Sequence, residues 1–481
     1  MSKYLMSIGG ASVAAKESFG VINPASGEVF EQAPECSPDQ LDAAFASAKQ
    51  AYLTWRSNES DRRKALLAMA DVLMGSAGEI APIITAEQGK PYSQANLEVF
   101  GAAMWCQYFA NLEITPEVIQ DDESALVQVV QRPLGVIAAI TPWNFPLLLA
   151  FWKIAPALLA GNTVVIKPSP FTPLSTLKVA ELLQSVLPAG VLNAVSGGDQ
   201  LGAQMTSHPV PRKISFTGSV ETGKKVALAA APDLKRVTLE LGGNDPAIVL
   251  DDADPVMVAK AIFTGAFSNN GQICSAIKRV YVPEALYDDV VDGLAACASA
   301  VKVGEGTDPQ SQLGPINNKP QFERVKELVA DALRHGATAV TGGQAMERPG
   351  YFFAPTILAG LTDGTRIVDE EQFGPALPVV KYHSLEDAIE RANATNFGLS
   401  GSVWGSDVER ASQVAAQLEC GTAWVNTHLG LAPSQPFGGC KWSGLGVENG
   451  KWGLSEFTEV QSLYQSRTLD GTNPLMALLV E

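Results

Sequence analysis

Several short segments of this 481-residue chain carry side chains able to make and break bonds, each set in backbone suited to aim it. Cys274 stands in SNNGQICSA, where Gly271 permits a sharp turn and Ile273 and Ser275 flank the thiol. An ionised thiol is a strong nucleophile toward a carbonyl carbon. Glu240, in LELGGNDP, follows a hydrophobic run and comes just ahead of two glycines, so its carboxylate emerges at a sheet edge. Asn144, in TPWNFP, has Trp143 and Phe145 beside it and a proline on each side, which fixes the backbone and aims a side-chain amide donor. In FTGSVETGKK a strand ends at Phe216 and a helix begins near Ser219, so helix N–H groups and the helix dipole offer a site for a pyrophosphate. The same segment nearly spells the P-loop pattern, but Lys225 stands where a magnesium-binding hydroxyl belongs, which weighs against an NTPase. Taken one at a time, each residue also has an ordinary reading: a buried small thiol, a solvated carboxylate, a turn asparagine, a helix entry that needs glycine.

The elements that must hold these residues alternate. The runs GVIAAI, NTVVIKP, VLNAVSG, RKISFTG and RVTLELGG are strand-like, with helices such as PLSTLKVAELLQSVL and VETGKKVALAAA between them. That alternation predicts a parallel sheet covered by helices, with a ligand crevice at the strand C-termini. A second α/β series runs from Asp251 to about Thr427 and includes RVYVPE, ALPVVKY and GTAWVNT; two doubly wound domains facing one another leave a cleft between them. Ahead of both, Gln40 to Leu112 shows helical spacing broken at Gly75–Gly78 and Gly89–Pro91. LEITPEVI and ALVQVVQR, separated by QDDES, predict a β-hairpin.

Composition narrows the class. Hydrophobic residues at 46% and charged residues at 18% describe a multi-domain globular chain. The net charge of −17 has no basic cluster within it, which excludes nucleic acid as a partner and leaves an anionic cofactor to be held by local N–H groups and single lysines. The sparse cysteines, Cys36, Cys106, Cys274, Cys297, Cys420 and Cys440, form no CxxC pair, so neither a disulfide framework nor a metal site is expected. With no secretory leader pattern and no long apolar span, the reading is a soluble, cytoplasmic protein with no membrane partner.

Together and in order, TPWNFP, KPS, FTGS, LELGGNDP, GQICSA, EEQFGP and PFGGCKWSG resemble the signature series of the aldehyde dehydrogenase superfamily, over essentially the whole chain. The pattern is similar to the non-phosphorylating, hydrolytic branch, because members that pass the acyl group to coenzyme A typically lack the glutamate matched by Glu240. The resemblance implies Cys274 as nucleophile, Asn144 with the Cys274 N–H as oxyanion donors, and Glu240 as base for thioester hydrolysis. Glu448 matches a second acid that relays the proton, and Lys153 a lysine supporting that network. For NAD or NADP, with NAD slightly favoured, it implies Lys167 at the adenosine ribose, Gly218 and Ser219 at the pyrophosphate, and Glu371 at the nicotinamide ribose, with Phe373 and Trp143 lining the groove. Pro170 departs from the pattern, since many NAD-preferring relatives carry a glutamate there. Phe145, Leu148, Trp152, Ile273, Leu429, Leu431 and Phe437 match pocket walls and favour an apolar aromatic or aliphatic aldehyde; relatives acting on semialdehydes tend to place an arginine at Trp152. No catalytic metal is implied.

The implied division assigns 1–112 and 134–242 to a Rossmann-like dinucleotide-binding domain and 243–445 to a catalytic domain. Residues 113–133 and 457–481 serve as oligomerisation segments of a homodimer or homotetramer. The alternatives are a semialdehyde dehydrogenase and, more remotely, a cysteine-dependent thioester hydrolase or acyltransferase. None of His208, His335, His383 and His428 lies in a Cys–His signature.

Overall fold

The computed structural model describes residues 3–467. Helices fill the N-terminal region as its periodicity predicts: Pro38–Trp55, Glu59–Gly75, Ala77–Gln88 and Tyr92–Asn111. Two of their breaks fall at the predicted Gly75–Gly78 and Gly89–Pro91; the third, between Trp55 and Glu59, was not predicted and holds neither glycine nor proline, the next helix being capped by Asn58. Ser37 opens the first of them with a full capping box: its hydroxyl accepts from the Gln40 N–H while the Gln40 side chain accepts from the Ser37 N–H.

An eight-stranded sheet forms the first core. Its parallel centre runs, in spatial order, Arg236–Glu240, Lys213–Thr217, Val136–Ile140, Thr163–Lys167, Leu192–Ala194. The chain builds outward from Val136–Ile140 in one direction, then returns to its other side with Lys213–Thr217. That reversal is a topological switch point, where the flanking connections diverge and leave a crevice beyond the strand ends. TPWNFP and FTGS follow the two strands at this point. All residues of the strands Val136–Ile140, Thr163–Lys167 and Lys213–Thr217 are buried, as both-face covering by helices requires.

A seven-stranded sheet forms the second core, with Asp245–Val249, Ile277–Pro283, Ala376–Tyr382 and Ser400–Trp404 parallel at its centre. The two sheets meet with opposite ends. The first sheet contributes residues that follow its strands, whereas Cys274, Glu371 and Phe373 precede theirs. The chain then crosses back: Gly444–Leu445 pairs with Leu239–Glu240 at the edge of the first sheet, and Leu399, Phe437 and Leu454 pack into the first core.

The predicted hairpin forms from Glu117–Asp121 and Ala125–Pro133. Its first strand starts later than LEITPEVI suggests, because Pro116 has no N–H to give the ladder. Asp122 closes the turn by accepting the N–H groups of Ser124 and Ala125. Thr458–Ser466 adds a third, antiparallel strand along the whole of Ala125–Pro133. The rest of the expected oligomerisation segment, 468–481, lies outside the described residues. A second hairpin, Glu17–Asn23 with Glu28–Glu35, was not anticipated from the sequence. Among the described residues no single helix is long and apolar enough to cross a membrane, and no cluster of His, Cys, Asp or Glu is arranged to hold a metal ion.

Candidate active site

Cys274 sits where the chain turns from the helix Pro255–Phe267 into the strand Ile277–Pro283. Asn269, Asn270 and Gly271 are all left-handed, with φ of 50°, 59° and 73°. Gly271 is required here twice over: its φ suits glycine, and a Cβ would lie 2.4 Å from the Gly374 carbonyl oxygen. The turn ends on Cys274, half-exposed beside buried Ile273 and Ser275. Burial pushes its thiol up to about 12, and Asp245, Glu240 and Glu371 push the same way; Lys278 opposes them.

Asn144 is 3% exposed and fixed from several directions. Its amide Nδ2 donates to the Gln272 carbonyl at 2.9 Å, and its main-chain carbonyl accepts from Lys90 Nζ at 2.9 Å and Asn269 Nδ2 at 3.1 Å. An asparagine amide has two N–H groups, so one stays free to act as a donor. Asn144 and Cys274 line one cavity of about 900 Å³ together with Trp143, Gly218, Ser219, Glu371 and Phe373.

Glu240 ends its strand between Thr217 and Gly444. Neither carboxylate oxygen has a hydrogen-bond partner, although the residue is only 3% exposed. Burial raises its pKa well above the carboxylate range; Glu448 adds to the rise and Lys153 opposes it. Lys153, on the helix Leu148–Ala160, which is buried from Leu149 onward, donates to Glu448 Oε1 at 2.5 Å and Thr217 Oγ1 at 2.7 Å. Side chains two apart on a strand share a face, so Lys213, Ser215 and Thr217 form a polar row beside Thr238 and Glu240. Ser215 Oγ donates to Glu448 at 3.3 Å, and Lys213 reaches Thr238 at 2.5 Å and the half-exposed Glu456 at 3.4 Å.

The expected cofactor groove is present as a surface. Trp143 and Phe373 meet edge to face with centroids 5.2 Å apart. Ser219 caps the helix Val220–Ala230 by accepting the Thr222 N–H, while Val220 and Glu221, whose N–H groups precede the first intrahelical acceptors, line the cavity. Glu371 accepts the Gly243 N–H at 3.1 Å, and a Cβ on Gly242 would lie 2.1 Å from its carboxylate. A bare backbone at Gly242, a helix N-terminus and an aromatic pair in one cleft fit a dinucleotide's pyrophosphate and nicotinamide ends. Lys167 stands outside this cavity's lining, at the end of its strand, with Nζ 3.3 Å from the Pro168 carbonyl; burial lowers its pKa to about 8.

On the substrate side, Phe145, Leu148, Leu431 and Cys274 are partly buried against the first core. Trp152 is 4% exposed, stacked on Trp105 at 5.5 Å and edge-on to Phe437 at 5.4 Å, so little of its surface faces open space. Leu429 is half-buried with φ of 61°.

Two lysines outside the sequence motifs also belong to the site. Lys278 lies under the nucleophile turn and Lys90 under Asn144, each almost wholly buried. A lysine inside the buried strand IKRVYVP, four residues past the thiol, was the available signal for the first. His428 adjoins the nucleophile, but its Nε2 is 2.7 Å from the Ser275 carbonyl and burial lowers its pKa to about 3, so it is a neutral ring serving the main chain.

Residues 12–463 match the sequence profile described as the aldehyde dehydrogenase family. The chain belongs to that family. It is similar to retinaldehyde dehydrogenase 3 of Rattus norvegicus, 40% identical over 95% of this chain and 91% of that protein. Phenylacetaldehyde dehydrogenase of Pseudomonas fluorescens is 38% identical over 95% of each chain. The NAD+ complex of an aldehyde dehydrogenase from Bacillus cereus superposes with a TM-score of 0.94 at 36% identity, covering 96% of both. As an aldehyde dehydrogenase the protein is an oxidoreductase, and the family's use of NAD(P) agrees with the cleft.

Proposed function

We propose that this aldehyde dehydrogenase oxidises a small apolar aldehyde, aromatic or aliphatic, to its carboxylic acid through a thioester on Cys274. The observation that carries the reading is that Cys274 and Asn144 line one cavity, with the unpartnered Glu240 carboxylate at the end of a strand whose neighbours Thr217 and Leu241 line it too. Addition of the Cys274 thiolate to the aldehyde carbon makes a tetrahedral oxyanion, which the free Asn144 N–H and the Cys274 main-chain N–H receive; one such donor is worth about 3 kcal/mol. A nicotinamide held in the cleft would supply the hydride acceptor, so that collapse of the adduct leaves the thioester on Cys274. Glu240 then takes a proton from water as the oxygen adds to the thioester carbon, collapse of that adduct breaks the C–S bond to free the acid and return the Cys274 thiolate, and Glu448, paired with Lys153, receives the proton from Glu240.

Phe145, Leu148, Leu431, Phe437 and Ile273 support an apolar substrate. The nearby cation, Lys90, lies 3.8 Å from the Phe145 ring centroid but is paired with Glu98 and so is not free for a substrate carboxylate. A semialdehyde would bury an unpaired charge. At the adenosine end, Pro170 offers neither an acceptor for a 2′-hydroxyl nor a charge against a 2′-phosphate. NAD is the favoured cofactor, with NADP accommodated. The exposed apolar residues Val460 and Tyr464 on the terminal strand, with Val118 and Ile119 on the hairpin, support pairing of subunits as a homodimer or homotetramer.

The test is formation of reduced cofactor across an aldehyde panel with NAD+ and NADP+ in parallel. Aromatic and medium aliphatic aldehydes should give the highest kcat/KM, succinate semialdehyde the lowest, and Cys274→Ala should lose about 10⁴-fold or more of turnover. Thioester or ester cleavage without reduced cofactor from any aldehyde would point instead to a hydrolase.

A further inference from the structure

Lys278 has a buried amine, and every donor it owns is committed. Nζ donates to the Cys274 carbonyl at 2.5 Å and to the Ile273 carbonyl at 3.0 Å, and it lies 3.4 Å from Glu371 Oε1. An ammonium has three N–H groups, and these contacts account for them. The Ile273 carbonyl and the Cys274 N–H belong to one planar peptide. A cation bonded to that oxygen fixes the direction of the N–H and, through the polarisation of linked hydrogen bonds, strengthens it as a donor. The second bond fixes the next peptide, so both planes flanking the reactive residue are tied to one side chain. The main chain of Lys278 is itself anchored, its carbonyl accepting Gln372 Nε2 at 3.0 Å.

The electrostatic setting points the same way. Carboxylates on three elements act on the thiol through their charge: Glu240 at the end of the first sheet, Asp245 at the start of the second, and Glu371 in the segment before Ala376. Asp245 comes close: a Cβ on Gly243 would lie 2.4 Å from its Oδ1 and 2.8 Å from the Cys274 carbonyl oxygen. Asp245 is hydrogen-bonded by Ser400, and its Oδ1 has no partner. Arg324 faces Glu371 from the helix Lys319–Arg334, bonding its main-chain carbonyl, and His428 is neutral. Lys278 is thus the charge set against this group of acids at the thiol.

We propose that Lys278 is a positioning residue for the nucleophile, orienting the Cys274 N–H toward the oxyanion and supplying the positive charge that favours the thiolate. Because it also holds Glu371, expected at the nicotinamide ribose, it joins the cofactor end of the cleft to the reactive end. The inference rests on the reading of Cys274 as nucleophile.

Lys278→Met keeps the length and apolar stem while removing the charge and the donors. Alkylation of Cys274 by iodoacetamide, followed by mass spectrometry without nucleotide, should slow about tenfold at neutral pH, with its pH midpoint rising by about one pH unit. The variant's kcat/KM for aldehyde should fall at least as much, with a smaller change in NAD+ affinity, and Lys278→Arg should recover part of both. Glu371→Gln should move alkylation the other way, faster than the parent, and this holds the inference to account should Lys278→Met fail to fold. A folded Lys278→Met with the parent's alkylation profile and turnover would overturn it, as would Glu371→Gln without acceleration. Turnover retained by Cys274→Ala would instead overturn the underlying nucleophile assignment.

Discussion

Two buried lysine–glutamate pairs flank the reactive cleft, each with an N–O separation of 2.5 Å, and they differ in what surrounds the carboxylate. Glu98 accepts Lys90 on one oxygen and the Leu147 and Leu148 N–H groups on the other, so it caps the helix Leu148–Ala160. Lys90 reaches on to the Asn144 carbonyl. The polar contacts of that pair are filled and it acts as scaffold. In the other pair Glu448 Oε2 has no partner, and the neighbouring Glu240 has none on either oxygen. An unsatisfied buried carboxylate is costly, so two such groups side by side mark a place kept for water and a travelling proton. Equal charge, length and burial therefore do not distinguish a scaffold pair from a working one; unfilled hydrogen-bonding capacity does.

The largest effect on this comparison is expected of Glu240→Gln, which removes the proposed base and keeps the shape. Turnover should fall about 10²- to 10⁴-fold, while a single rapid burst of reduced cofactor survives, because thioester formation precedes the step that needs the base. The pH dependence follows from the sign of the shift. A carboxyl whose pKa is raised loses its base form as pH falls through that raised value, so the parent enzyme's hydrolysis should decline on the acid side well above the usual carboxylate range. Glu240→Gln should abolish that decline. A parent acid limb at ordinary carboxylate pH would count against Glu240 as the base.

On the scaffold side, Lys90→Met strands a buried carboxylate without its cation. The expected loss is about 3–5 kcal/mol of stability, read as a lower denaturation midpoint, with the remaining folded enzyme showing a smaller drop in kcat than Glu240→Gln. If Lys90→Met keeps the parent's stability, the pair is not the scaffold its hydrogen bonds make it.

Much of this site was legible in the sequence because its parts are local. TPWNFP, FTGS and GQICSA each specify a turn after or before a strand, and the alternation of strands and helices specifies which turns share a sheet edge. What escaped was the coupling between distant segments. Lys90 acts on Asn144 across 54 positions, a distance that no periodicity records; the resemblance placed Lys153 and Glu448 in one network, but not the direct bond between them across 295 positions. The return of Gly444–Leu445 to the first sheet escaped for the same reason, being a two-residue edge pairing set by packing. The early hairpin Glu17–Glu35 was missed because its strands are largely exposed and lack the alternation that betrays a half-buried strand. Lys278 was visible as a lysine in a buried strand, but its meaning came only with the carbonyls it reaches.

The smallest expected effect belongs to Glu448→Gln, and its two parts have opposite consequences. In the proposed mechanism Glu448 receives the proton from Glu240, and its carboxylate meets the polar row that continues through Ser215, Thr238 and Lys213 to Glu456 near the surface. Losing an ionisable group there should lower kcat about tenfold, with the solvent deuterium isotope effect enlarged because proton exit becomes limiting. Yet the Glu448 charge also raises the Glu240 pKa, and its removal frees Lys153 to pull that value down further. The acid limb of the kcat profile should therefore move to lower pH even as the plateau falls. A group that merely packs would move neither the isotope effect nor the limb, and a limb displaced to higher pH would show that Glu240 and Glu448 do not share a field.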